Sequence, residues 1–296
     1  MTGTDGFRIE GVFNDGSREE TISCKWKLGK KEVFTNGTEY EKLTDHIGKY
    51  SSVMIAPDDM ELINDGSELR RKWVDSILGQ VDKEYLEQLM RYQRILLQRN
   101  AWLKMQATRP TADRVELEYY NKEMGLAATY IYEQRNEFIS AFLPFLQDFY
   151  RQLSGGKEKI SLKYESDLQK KTFMEWQAES FQQDLRMQRT LRGIHKDDWS
   201  FILNDIALKQ FGSQGQKKSF LFALKLAQYT YISQKLKHLP ILLLDDIFEK
   251  LDQNRMEALL QIIRGPGFGQ VLLSDTHASR IQEAFGVDAE IEFIYL

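Results

Sequence analysis

Hydrophobic and polar residues alternate along Phe7-Arg-Ile-Glu-Gly-Val-Phe13 and again along Thr21-Ile-Ser-Cys-Lys-Trp-Lys27. A period of two marks strands with one covered face. The turn formers Asn14-Asp15-Gly16 and Asn36-Gly37, with Lys30 to Thr35 between them, extend this into an antiparallel meander over residues 7–57. The period then changes. Leu86, Leu89, Leu96 and Leu103 recur at helical spacing between Asp82 and about Lys104. Met124, Ala128, Ile131, Phe138, Phe142, Phe145 and Phe149 do so between about Thr111 and Leu153, interrupted by Arg135. The two stretches predict a short arm of paired helices, with a kink at Pro144. Ser154-Gly-Gly-Lys157 ends the second helix, Ile160 to Tyr164 returns as a strand, and a polar helix carries Phe173, Trp176 and Phe181. Two unbroken apolar runs follow, Ile241-Leu-Leu-Leu244 and Val271-Leu-Leu273. Runs of this kind suit strands of a parallel sheet covered on both faces.

Bulk properties add limits. The 296 residues are enough for a substantial core, and a net charge of −4 gives no overall electrostatic attraction for nucleic acid. Any DNA surface must therefore be a local patch. The single cysteine, Cys24, excludes an intramolecular disulfide and suits a reducing cytoplasm as a structural strand thiol. No secretory signal and no apolar run of membrane length occurs, so a cytoplasmic protein without a membrane partner is expected.

The candidate chemistry clusters late in the chain. Ile241 to Leu244 runs directly into Asp245 and Asp246, at the carboxyl end of the strand, where open α/β sheets bind ligands. One carboxylate can hold Mg²⁺ and the next can orient a water. Upstream, Phe211-Gly-Ser-Gln-Gly-Gln-Lys-Lys-Ser219 opens a long apolar-periodic stretch. A Gly/Ser turn entering a helix offers free backbone N–H groups to an anion. Downstream, the second apolar strand ends in Ser-Asp-Thr-His277. His195 is open between a switch and a structural hydrogen-bonding role, and His238 suits the C-terminal end of a helix.

This order resembles the C-terminal half of an ABC-type ATPase: Ser213-Gln214-Gly215-Gln216 as signature motif, Leu242 to Asp246 as Walker B, Leu251-Asp252 as D-loop and His277 as switch histidine. Gly193-Ile-His-Lys-Asp-Asp198, Ala56-Pro-Asp-Asp-Met60, Arg70-Arg-Lys-Trp-Val-Asp75 and Tyr92-Gln-Arg…Gln98-Arg-Asn-Ala101 narrow the resemblance to the RecF family, with Ile194 and Lys196 as departures from its pattern. The resemblance implies an α/β fold: an ABC-type ATPase head with an antiparallel β subregion and an inserted helical lobe. It divides the chain into a β-rich part of lobe I (1–58), a helical lobe II (59–192) and the C-terminal half of lobe I (193–296). It further implies ATP and Mg²⁺ as cofactors, sandwiched in an ATP-dependent homodimer. Asp245 would bind the metal, Asp246 would orient the attacking water and His277 would contact the γ-phosphate. Ser213, Gln214, Gly215, Gln216 and Asp252 would serve the partner's nucleotide. Implied partners are single-stranded and gapped duplex DNA and RecO/RecR-type mediators, in support of recombinase loading.

One family element is missing from these residues. No Gly-x-x-x-x-Gly-Lys-[Ser/Thr] occurs, and the family carries that P-loop before the segment where this chain starts. The expectation is a truncated family member that binds ATP poorly alone. Between Met90 and Pro110, Arg91, Arg94, Arg99, Lys104 and Arg109 occur without an acidic residue. This is a candidate DNA-phosphate stripe or a solvated face of snorkelling side chains. Two other readings stay open: an ATP-independent DNA-binding or dimerisation module, and a metal-dependent nuclease built on Asp245, Asp246 and Asp252.

Overall fold

The computed structural model describes residues 6–14, 16, 18–108, 114–156, 158–247, 251–277 and 291–294. It falls into two compact units, one ending at Tyr50 and the other beginning at Ser51. The first is the expected meander: β1 (Gly6–Asn14), β2 (Glu19–Lys27), β3 (Lys30–Thr35) and β4 (Thr38–Glu39) pair antiparallel in sequence order. Asn36 and Gly37 take positive φ (49° and 83°), as a tight hairpin requires. Cys24 lies half-buried in β2 as a free thiol.

The second unit begins with a departure from the sequence reading. Strand β5 (Ser52–Ile55) does not extend the meander; it pairs parallel with β9 (Ile241–Asp245), which pairs parallel with β10 (Val271–Ser274) on its other side. Its alternation is genuine, since Val53 and Ile55 are buried while Ser52 and Met54 are exposed. A strand at the border of a parallel sheet shows the same period as an antiparallel one, so period alone could not separate them. In β9 itself Leu242 and Leu244 are at most 1% exposed. Burying each contributes about 2 kcal/mol. Ile241 and Leu243 are half-covered on the other face.

After β5 come α1 (Glu61–Asn64), α2 (Ser67–Val81), α3 (Lys83–Thr108) and α4 (Val115–Ser154). Helices α3 and α4 run antiparallel: Arg91 meets Glu123, Arg99 meets Asn121, and Trp102 and Leu103 share a small core with Leu117. Pro144 sits inside α4, and the helix continues through it to Ser154. The neighbouring turns are locked by buried Phe142 and Leu146, so one missing N–H does not end it. Gly155, left-handed at φ 76°, terminates α4.

A second antiparallel sheet follows, β6 (Ile160–Glu165), β7 (Asp198–Leu203) and β8 (Ile206–Ala207), with α5 (Phe173–Met187) between its first two strands. Then come α6 (Leu208–Phe211), α7 (Gln214–Leu236) and, beyond β9, α8 (Gln253–Ile263). Helix α7 is buried on nearly all sides through Phe220 to Tyr229. It packs on α4, where Phe138 meets Tyr231 edge-on with ring centroids 5.0 Å apart. The core is one continuous cluster from Val53 to Ile263, so the helical region and the parallel sheet are built on a shared interior. No helix among the described residues is long and apolar enough to cross a membrane.

Candidate functional site

Asp245 ends β9, and its neighbours come from the adjacent strand. Ser274, the last residue of β10, donates through Oγ to Asp245 Oδ1. The backbone N–H of Asp246 donates to Ser274 O at 3.2 Å, stitching the two strand ends together. Asp246 then turns into the left-handed region, φ 49°, a conformation Asp tolerates at a cost of about 1 kcal/mol. Its Oδ1 is buried without a hydrogen-bond partner among the described residues. Asp275 repeats the pattern: Oδ1 accepts from the His277 N–H at 2.7 Å, while Oδ2 is buried and unpaired. The His277 imidazole is 56% exposed, its Nδ1 2.9 Å from Thr276 Oγ1. Asp245, Asp246 and His277 are therefore brought to one edge of the sheet. Ser274 and Asp275 belong there too and were missed; their position two and three residues before His277, at the tip of the apolar run, was the available signal. A small cleft opens beside Asp245, lined by Ile55, Pro57, Met60, Lys218 and Phe222 among others.

A buried acceptor oxygen with no donor costs about 1–3 kcal/mol and more if charged. The orphaned oxygens of Asp246 and Asp275 fit a hard cation and its waters, which take oxygen ligands. Among the described residues no group of three or more His, Cys, Asp or Glu side chains is gathered for a metal. Mg²⁺ needs only one or two carboxylates when phosphates complete its shell.

The second group of predicted residues lies at the start of α7. Ser213 is the N-cap: its Oγ accepts from the Gln216 N–H at 3.2 Å, and Gln216 Oε1 accepts from the Ser213 N–H at 2.8 Å. This reciprocal box fixes the turn. Ser213 and Gln214 are exposed. Gln216 Nε2 also donates to Glu158 Oε1 at 2.5 Å, and Tyr150 of α4 donates to the other oxygen of Glu158. Gly215 leaves room for a neighbour: a Cβ there would lie 2.6 Å from Arg255 Nη1, the flexible end of that side chain. Arg255 in turn pairs with Asp252, the N-cap of α8, whose side chain accepts the Arg255 N–H at 3.1 Å. The signature-like turn and the D-loop-like cap are thus joined through Arg255, which the sequence did not single out. No hydrogen bond or ion pair among the described residues links this group to Asp245, Asp246 or His277. The predicted residues thus form two groups that share no such bond, although Lys218 of α7 and Asp245 line one cleft. The stretch between them, 248–250, lies outside the described residues.

The predicted phosphate stripe on α3 needs correction. Arg99 is fully buried, ion-paired with Asp184 at 2.9 Å and bonded to Asn121 and Thr190. Its position opposite a buried acid on α5 was invisible in a local charge count. Arg91 is paired with Glu123. Arg94 and Lys104 are exposed, and Arg109 lies outside the described residues.

His195 is settled as structural. Its Nε2–H donates to Thr190 O at 3.1 Å, and Nδ1 accepts from the Tyr92 hydroxyl at 2.7 Å. Burial pushes its pKa down to about 4, so the ring is neutral at pH 7. Its turn is anchored by Arg135, fully buried on α4, which reaches Ile194 O, Asp197 and Asp75 at 2.7–3.0 Å. His238, just past α7, bonds Ser51 Oγ at 3.0 Å.

A parallel sheet bearing paired aspartates at its edge, a capped anion-type turn on the following layer and an inserted antiparallel helix pair define an ABC-type ATPase head. No protein-family model matches the chain. It is 41% identical over 95% of its length to the DNA replication and repair protein RecF of Flavobacterium johnsoniae, covering 78% of that relative. It is 41% identical to that of Bacteroides fragilis, covering 96% of this chain and 77% of the relative. The solved structure of the recombination mediator protein RecF-ATPrS in the RecFOR pathway superposes with TM-score 0.82 at 25% identity, over 93% of this chain and 76% of that one. The chain belongs to the RecF family.

Proposed function

We propose that the chain acts as a RecF-type DNA replication and repair protein whose two residue clusters serve ATP bound at a homodimer interface. The observation that carries this reading is the buried, donorless carboxylate oxygen of Asp246 beside Asp245 at the sheet edge, in a chain whose structural relative is a RecF–nucleotide complex. Asp245 would hold Mg²⁺, and Asp246, at its left-handed turn, would orient a water. His277 stands in solvent at the same edge, available to a terminal phosphate. The metal, when bound, neutralises charge on phosphate oxygens. Gln214 and Gly215 present the free N–H groups of the α7 terminus to the nucleotide of a second copy, Ser213 and Gln216 fix that turn by capping each other, and Asp252 holds Arg255 against it.

In this reading the chain engages DNA at single-strand gaps in the cytoplasm through its own surface, nucleotide closes the dimer on that DNA, and the complex works with RecO- and RecR-type partners to load recombinase. The 296 residues contain no Gly-x-x-x-x-Gly-Lys-[Ser/Thr], so their own affinity for Mg-ATP is weak. Calorimetric titration giving micromolar affinity would contradict that. Fluorescence anisotropy on gapped and continuous duplexes tests the DNA role: tighter binding to the gapped substrate is expected, and no binding to either would refute it.

A further inference from the structure

Arg71, Arg189 and Lys196 converge on one turn, and the carboxylates that act on Arg71, those of Asp198, Asp197 and Glu68, are each bonded to another partner. Arg71, on α2, donates through Nη1 to Asp197 O at 2.7 Å, beside Lys196. The bond from His195 Nε2–H to Thr190 O draws Arg189-Thr190 against His195-Lys196. The turn is stiff. Gly193 is held at φ 128° with Tyr92 and Phe173 packed where a side chain would be, and Arg135 bonds Ile194 O and Asp197 from beneath.

The acids nearby are taken. Asp197 is buried and binds Arg135 and Tyr164. Asp198 accepts both prongs of Arg70, at 2.8 and 3.0 Å. Glu68 pairs with Lys72. The like charges act on one another: burial pushes the Lys196 ammonium down, and Arg189 and Arg71 push it further. Three cations held together in an acidic protein, with the local acids spent on other partners, are a standing repulsion that a bound anion would relieve. Arg189 and Lys196 stand in solvent, while Arg71 is half-buried and fixed by its carbonyl bond. That arrangement suits an extended polyanion running over the surface.

We propose that Arg71, Arg189 and Lys196 form a contact site for the phosphate backbone of DNA. The proposal rests on the DNA-binding reading above and moves its contact surface from α3 to the Gly193–Asp198 turn. Phosphate contacts fix position without reading sequence, so the site is indifferent to base composition.

The test is anisotropy titration of the full chain with a labelled gapped duplex across a salt series. Replacing Arg189 and Lys196 together by Ala removes two exposed side chains. Affinity should fall on every sequence tried, and the slope of log K against log salt should become shallower by about 2. Arg189→Lys with Lys196→Arg should keep the parent slope, and Arg189→Glu with Lys196→Glu should abolish binding at moderate salt. The proposal is overturned if the double alanine variant, with unchanged melting temperature, keeps the parent's affinity and slope. A parent chain that binds no DNA at all would overturn the broader DNA reading as well, and the two failures are told apart by the parent's own titration.

Discussion

Asp246 combines two costs in one residue: a left-handed backbone and one carboxylate oxygen buried without a donor among the described residues. Such strain persists where the site uses it. Asn adopts the left-handed region readily and removes the charge. Asp246→Asn should therefore leave the melting temperature unchanged or raised, while a form equipped with the family's P-loop loses ATP hydrolysis by about a hundredfold or more. Loss of both stability and turnover together would make Asp246 a structural residue. Gly193 gives the opposite case. A Cβ there would lie 2.6 Å from the Tyr92 hydroxyl and 2.9 Å from the Phe173 ring, at a φ that L-residues avoid. Gly193→Ala should cost about 3 kcal/mol, read as a lowered denaturant midpoint. The paired aspartates could be read from sequence because they follow an apolar run, a one-dimensional signal. Ser274 and Asp275 could be placed beside them only through strand pairing, which joins residues far apart in the chain.

At the scale of elements, helix periods were legible because 3.6-residue repeats of Leu and Phe are local, and α3, α4 and α5 lie close to where those repeats put them. The charge pattern on α3 was not legible. Which face of α3 meets α5 depends on packing, and Arg99 turned out to be the inward side chain, buried against Asp184. Arg99→Ala would leave Asp184 buried and unpaired at a cost of about 3–5 kcal/mol, measurable by chemical denaturation. A stripe test that includes Arg99 would thus report unfolding, and exposed Arg94 is the better probe of that face. The capped turn of α7 carries a subtler expectation. Gly215→Ala gains helix propensity of about 0.5–1 kcal/mol but displaces the flexible end of Arg255 from its place over the turn. Stability should hold while ATP-driven dimerisation of a P-loop-equipped form weakens; unimpaired dimerisation would show that Arg255 only fills space.

For the whole molecule, pH reports on the buried turn that joins the helical region to the sheet. The folded pKa of His195, about 4, lies below its ordinary 6.5, so between those values the unfolded chain binds the extra proton. Stability from this group is complete above pH 6.5 and is lost as pH falls toward 4, by about 3 kcal/mol in all. His195→Gln should flatten that part of the stability–pH profile relative to the parent; parallel profiles would place the titration elsewhere. The overall architecture was readable in outline because motif order survives in sequence, whereas the membership of β5 in the parallel sheet rests on a partner nearly two hundred residues away. The central claim is that the two separated clusters act on one nucleotide across two copies of the chain. It is tested most directly by mixing two variants in a form equipped with the family's P-loop: Ser213→Arg with an intact P-loop, and a P-loop lysine variant with intact Ser213. Neither should dimerise alone with Mg-ATP in size-exclusion chromatography with light scattering, and their mixture should, because one composite site is restored. Two folded variants that stay monomeric when mixed, while the unsubstituted form dimerises, would contradict the account.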